Sequence, residues 1–290
     1  MLVAFALVKL KIVKSNDGMV LSKISLYLLM PAAIINSFDV EMNDDIINGL
    51  ALAFISAIVI HIVLIIVDFI YKKLFNGTSV ERASIVYSNA VNLIIPIVSY
   101  VLGDEWVIYS CAFMSIQLVF LWSHGIQLFS DEKKINIKKI LLNVNIIAIV
   151  IGAIFMVSGI RLPNFVKEVT SSLGSMLGIV GMIIAGMLAA NINFKKTFLN
   201  KRLYLVLIMR MLLCPAIVLA IMKCAGNIPI MNSKEVLLVS FLASITPTAA
   251  TIMQFAQLYK KDEDFAVGVN IVTTILCIAT MPLFVTLYMM

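Results

Sequence analysis

The chain has 290 residues, 62% of them hydrophobic and 13% charged, with a mean hydropathy of +1.06. This composition is too apolar for a soluble domain, and at roughly 20 residues per membrane span plus short connections the length accommodates about ten helices. The net charge of +6 comes from basic residues in short stretches between apolar segments, so it points to membrane topology and away from nucleic acid.

Residues 1–8 are apolar but are interrupted by Lys9, Lys11 and Lys14, well short of a span. They read as a first span whose beginning is missing, or as a short partial helix, and not as a signal peptide. A second span is expected at 20–38, with Pro31 and Asn36 inside it. An acidic stretch (Asp39, Glu41, Asp44, Asp45) precedes a third at 50–71, which carries His61 near its middle and Asp68 near its end. The fourth is expected at 83–102 and the fifth at 107–129, followed by the charged loop 131–139. The second half repeats the plan, with spans at 141–158, 173–190, 203–223, 236–258 and 265–288. Cys111, Cys214, Cys224 and Cys277 are scattered singly and read as small apolar core residues, with no metal-ligand spacing among them.

Two of these spans are interrupted. The fourth contains the polar, proline-bearing run Asn89 to Pro96, with Asn92 inside it, and the ninth contains Thr246-Pro247-Thr248. Backbone groups freed by a break at membrane depth survive only where protein or an aqueous cavity satisfies them. Interruptions at corresponding places in two halves point to the substrate site of a secondary transporter. Pro31, Pro215 and Pro282, each alone in its span, read as ordinary kinks.

Assigning alternate loops to one face puts 17 of the 22 basic residues there, against Arg161, Lys167, Lys223 and Lys234 on the other. The positive-inside rule then places both termini outside the cell membrane. Five spans per half is an odd number, so halves 1–140 and 141–290 enter the membrane in opposite senses, as an inverted repeat. In that topology the second half-helix of each broken span begins near the midplane, around Asn92 to Pro96 and Thr248 to Ala250. Two converging amino ends, each worth roughly +0.5 charge, suit a small anion such as a carboxylate.

Arg210 is the basic residue lying well inside a span. It binds the helices together, or attracts anions toward the site, or snorkels to the interface. His61 is a possible proton relay, although a packed neutral histidine accounts for it as well. Asp68 reads as interfacial. Gln254, Gln257 and Asn270 are candidates for supporting roles or for interhelical hydrogen bonds, and Gly174, Gly178, Gly181 and Gly186 form a small-residue stripe suited to close packing.

These features resemble the auxin efflux carrier family of membrane transporters, which includes bacterial malate and malonate permeases. The carrying residues are Asn89 with Pro96 seven positions on, Pro247 with the run from Ala249 to Tyr259 and its following acidic turn, Arg210 with Cys214-Pro215, and Leu29-Met30-Pro31-Ala32. The chain departs from the family at Val91 and Ile94, where or near where glycines are usual. The resemblance implies an all-α, ten-span inverted repeat whose broken fourth and ninth spans cross at the substrate site. It also implies a moving bundle of spans three to five and eight to ten on a scaffold of the other four, in a homodimer.

The reading is therefore a secondary transporter of small organic anions in the lipid bilayer, with Asn89, Asn92, Pro96, Thr246, Pro247 and Thr248 at the site and Arg210, His61 and Gln254 in support. No resident cofactor or metal is expected, and the coupling ion is H+ or Na+. A cation or proton antiporter, or a sodium-coupled symporter, of similar crossed-helix form is the rival, weakened by the lack of Asp or Glu near either break. The chain carries no H-E-x-x-H metal motif, no paired intramembrane aspartates and no P-loop, which argues against an enzyme.

Overall fold

The computed structural model describes residues 1–39, 44–130, 138, 141–190, 194–225 and 232–290. The acidic Glu41 and most of the charged loop 131–139 lie outside the described residues, as do the side chains of Asp44 and Asp45. Among the described residues every regular element is a helix. In chain order these are α1 (Leu2–Lys9), α2 (18–37), α3 (Asp44–Phe75), α4 (Ser79–Val86), α5 (Ala90–Val101), α6 (Val107–Phe129) and α7 (Val144–Ser158). They are followed by α8 (Asn164–Ala189), α9 (Phe194–Leu199), α10 (Lys201–Ala225), α11 (Ser233–Ile245), α12 (Ala250–Tyr259) and α13 (Glu263–Met289).

Among the described residues, six helical stretches are long and apolar enough to cross a membrane: Ser15–Asn36, Ile46–Phe75, α6, α8, α10 and α13. The paired helices α4 with α5 and α11 with α12 are different. At 1.5 Å per residue, the 8 residues of α4 and 12 of α5 reach about 12 and 18 Å, so neither alone crosses a hydrocarbon layer of about 30 Å. Each half must end inside the protein.

Local chemistry sets the ends. The Thr78 hydroxyl accepts from the Glu81 N–H to cap α4, Asn143 caps α7 by accepting from Asn145, and Asn200 caps α10 by accepting from Arg202. Gly159 closes α7 at φ 69°, a left-handed conformation that glycine adopts without steric cost. Lys72 and Lys73 in the last turn of α3 complement its negative end.

Two long helices loosen into π-helical turns just before a proline, at Ser25–Leu29 before Pro31 and at Met209–Leu213 before Pro215. The lone prolines thus bend or widen helices without ending them. At the first, the Asn145 side chain donates to the Leu26 carbonyl at 3.0 Å, so α7 satisfies a carbonyl in the irregular stretch of α2.

Packing falls into two groups. Helix α8 lies along α1 and α2, and α7 along α2; α3, α6 and α11 form the other centre, flanked by α10 and α13. Glycine permits the first: a Cβ on Gly174 would come within 3.0 Å of the Ala33 backbone, and one on Gly186 would collide with the Met1 carbonyl. The stripe read from sequence is a packing seam at these two positions. At Gly178 and Gly181 a Cβ would meet only ordinary contacts, with Asn92 and Ala250.

Candidate functional site at the helix breaks

The two breaks meet. Ser88 and Thr248 form an antiparallel bridge, the Asn89 N–H donates to the Pro247 carbonyl at 2.7 Å, and the Ala249 N–H donates to the Tyr87 carbonyl at 3.0 Å. Each break therefore satisfies backbone groups that the other has freed, the condition for irregular backbone in an apolar surround. Neighbouring helices complete the accounting. On one side the Gln117 amide of α6 clamps Ser88, its Oε1 accepting from the Ser88 N–H and hydroxyl and its Nε2 donating to the Ser88 carbonyl. On the other, Asn270 of α13 donates to the Thr248 carbonyl at 2.8 Å and the Thr273 hydroxyl accepts from the Thr248 N–H at 3.3 Å.

The carboxyl ends of α4 and α11 converge on Arg210. Its guanidinium donates to the carbonyls of Ile85 at 3.2 Å and of Ser244 and Thr246 at 2.7 Å each. The side chain is fully buried, so it does not snorkel. A cation here sits where two helix dipoles present their negative ends, and it bonds the carbonyls left over by termination. Arg210 holds the crossing together.

The amino ends of α5 and α12 converge at Asn89. Its Oδ1 accepts from the Ala250 N–H at 3.3 Å and from Asn92 Nδ2 at 2.8 Å. The break expected over Asn89 to Pro96 is shorter: Tyr87 to Asn89 are non-helical, and Ala90 onward, Pro96 included, is helix α5. The half-helix thus begins before Asn92, and Pro96 lies in mid-helix rather than at the break. Proline has no N–H to donate to the carbonyl four residues earlier, so the carbonyl of Asn92 is released within α5.

Asn92 itself lines a cavity of about 570 Å³. Its wall is built from the end of α2 (Ala33, Ile34, Asn36), the first turns of α5 (Val91, Asn92, Leu93, Ile95), Met114 and Leu118 of α6, and α8 from Ser171 to Met182. A Cβ on Gly178 would stand 3.9 Å from the Asn92 Cβ and carbonyl, and one on Gly181 3.6 Å from Ala250 Cβ and 3.9 Å from Asn92 Nδ2. These two glycines bring α8 up to the amino ends of both half-helices. Asn92 keeps one amide hydrogen beyond that given to Asn89, and its Oδ1 is without a hydrogen-bond partner.

The other sequence-predicted residues fall elsewhere. Thr246 and Thr248 are fully buried and donate to the Ala243 and Ser84 carbonyls, so they build the crossing and do not line the cavity. Pro247 contributes its carbonyl to Asn89. Gln254 donates to the Ser25 hydroxyl at 3.1 Å, and Gln257 accepts from Ser22 at 2.7 Å, tying α12 to α2 at the end away from the cavity. His61 is sealed in α3, its Nδ1 2.7 Å from the Ala57 carbonyl and its ring between Phe113 and Phe120, the packed arrangement.

Sequence reasoning missed Gln117 and His124. Both lie in an apolar span, which was the available signal. His124 is bonded to Tyr87 at 2.9 Å and stands 3.5 Å from Asp68, which Arg82 grips at 2.8 and 2.6 Å. Asp68 is therefore a buried ion-pair centre.

Two comparisons bear on the site. The sequence pattern of a family described as "Membrane transport protein" matches residues 1–285, nearly the whole chain and both breaks. No curated protein matches the chain.

Proposed function

The chain belongs to the membrane transport protein family, the auxin efflux carriers, and on that premise we propose that it is a secondary transporter of organic anions. The observation that carries the reading is the meeting of two helix amino ends, at Ala90 and Ala250, beside Asn92 at the head of the cavity. Each end contributes roughly half a positive charge, and Asn92 adds an N–H, so a carboxylate is stabilised there without a basic side chain.

The rest of the wall is mainly apolar, with Asn36, Ser171 and Ser175 as its other polar side chains and no charged residue among the described ones. The volume lies within the range of small-molecule sites, about 300–1,000 Å³. A second carboxylate would face apolar wall, at the cost of losing water without a partner. The substrate class this favours is a monocarboxylate with an apolar body.

Ten spans in two inverted halves, 1–140 and 141–290, are the frame for this activity. Their support is the matched treatment of the breaks, with Gln117 holding Ser88 and Asn270 with Thr273 holding Thr248. With both termini outside, the cavity lies in the outer half, and the Ser22–Gln257 and Ser25–Gln254 bonds close the cytoplasmic half. Alternating access then opens that latch and closes α5 onto α8. The test is uptake of labelled indole-acetate, malate and malonate into liposomes, with and without pH and sodium gradients. Saturable uptake, strongest for indole-acetate and lost in Asn92→Ala, is expected; folded protein that takes up no carboxylate refutes the reading.

A further inference from the structure

We propose that Asn36 and Ser171 form a second, uncharged pole of the cavity, so that the anion carries a neutral hydrogen-bonding group at the end opposite its carboxylate. The proposal rests on the transport reading and narrows its substrate class. Both residues line the cavity, Asn36 from the end of α2 and Ser171 from the second turn of α8. The two helices run antiparallel here: a Cβ on Gly174 would stand 3.0 Å from the Ala33 Cα, and further along α2, just past its end, Asp39 pairs with Lys167, which lies earlier in α8. Asn36 falls between the two contacts on one chain segment and Ser171 between them on the other. The two residues therefore stand at one level.

A polar residue near a helix end needs no ligand, since water serves it. What singles out this pair is that both members border the same cavity from different helices and neither is used by the protein. Among the described residues, the Asn36 amide and the Ser171 hydroxyl have no hydrogen-bond partner, whereas Ser175, the other serine of the wall, donates to the Ser172 carbonyl at 2.7 Å. An amide and a hydroxyl offer both donors and acceptors. Neither carries a charge, so the pole suits an O–H, an N–H or a carbonyl and gives a second carboxylate no counter-ion. The cations about one turn away, Lys167 and Arg161, are both engaged by Asp39, and the exposed Glu168 next to Lys167 adds a negative charge.

The spacing of the poles sets the size of the substrate. Gly178 marks the carboxylate end on α8, since a Cβ there would stand 3.9 Å from Asn92. Ser171 lies about two turns earlier in the same helix, roughly 10 Å along its axis. A hydrogen bond of about 2.9 Å at each pole then leaves roughly 5 Å between the two polar groups of the ligand. One aromatic ring bearing both groups fills that distance. The rest of the wall, with Met114, Leu118 and Leu177 in it, is apolar and suits such a ring.

The test is equilibrium binding of labelled phenylacetate to the whole chain in lipid nanodiscs, with unlabelled meta-hydroxy, para-hydroxy and meta-carboxy forms of the same acid as competitors. At least one hydroxylated acid should bind about 3- to 10-fold tighter than phenylacetate, the worth of one net hydrogen bond. With Asn36→Leu and Ser171→Ala together the order should invert, because the hydroxyl then sheds water without finding a partner. A merely structural role would lower all the affinities and leave their order intact. Equal binding of phenylacetate and both hydroxylated acids by wild type, or a preference that survives both substitutions, overturns the proposal. So does tightest binding of the meta-carboxy acid, which would put Lys167 and Arg161 in the site. If the double variant does not fold, Ser171→Ala decides: it lies at an exposed helix position that favours alanine, and it should lose part of the gain from the hydroxyl. Wild type that binds phenylacetate without preferring a hydroxyl leaves the transport reading standing, whereas wild type that binds none of the acids overturns both.

Discussion

The Asn89 N–H donates to the carbonyl of Pro247 at 2.7 Å, joining two breaks that lie in opposite halves of the chain. Asn89 is at once part of this backbone pairing and, through Oδ1, the cap of Ala250 and the anchor of Asn92. Its side chain therefore has a structural and an electrostatic role, and different substitutions separate them.

Asn89→Ala removes an acceptor from a helix amino end, and loss of a cap costs about 0.5–2 kcal/mol. Asn89→Asp keeps the acceptor but places a negative charge beside the proposed anion site. Thermal melts should show Asn89→Ala destabilised and Asn89→Asp near wild type, while uptake is lost in both. Full uptake in Asn89→Asp would place the anion elsewhere.

Arg210 bonds three carbonyls at the ends of two helices. Arg210→Met orphans all of them in a buried setting, at about 1–3 kcal/mol each. The expected result is loss of folded protein by size-exclusion chromatography, with Arg210→Lys intermediate because one ammonium cannot span the three acceptors. A well-folded Arg210→Met that has lost only substrate affinity would reassign the residue to the substrate.

A Cβ on Gly178 would make only an ordinary van der Waals contact with Asn92 at 3.9 Å, whereas one on Gly174 would press on the Ala33 backbone at 3.0 Å. Gly178→Ala should leave stability and uptake nearly unchanged, and Gly178→Leu should block uptake in protein that still melts cooperatively. Gly174→Ala should lower the melting temperature, since α2 and α8 must move apart. Equal effects at the two positions would contradict the cavity.

Asp39 pairs with Lys167 at 2.7 Å and Arg161 at 3.4 Å. Burial pushes its carboxyl up, but the two cations outweigh this and hold it below the ordinary range. A depressed carboxylate stabilises the fold above its unfolded pKa, and that contribution is lost as pH falls through the folded one. Because Lys167 and Arg161 are 54% and 42% exposed, the effect is under about 1 kcal/mol. Melts of wild type and Asp39→Asn should differ slightly at pH 7 and converge as the pH falls below the ordinary carboxylate range; a gap that widens in acid contradicts the sign.

Much of the candidate site was legible in sequence, because hydropathy and polar interruptions are local signals. They located the apolar segments, both breaks and a charge at Arg210 out of place in its span. The length of the first break was misread. A proline in sequence looks like an end, yet Pro96 continues α5, since one released carbonyl is tolerated where its residue lines a cavity. His61 attracted attention as the more central histidine, and burial between two phenylalanines makes it a packing residue instead.

By itself, then, the sequence determined that this is a chain of apolar helices with two polar interruptions and a basic-rich set of loops. Composition and period depend on neighbours a few residues away. Only the tertiary structure decided that the breaks pair with each other, that Arg210 closes the carboxyl ends of α4 and α11, and that α8 forms the cavity wall opposite Asn92. It also decided that His124, and not His61, meets the buried charges. Each of these rests on contacts between residues far apart in the chain, and hydrogen bonds and packing across such distances leave no periodic trace in the order of amino acids.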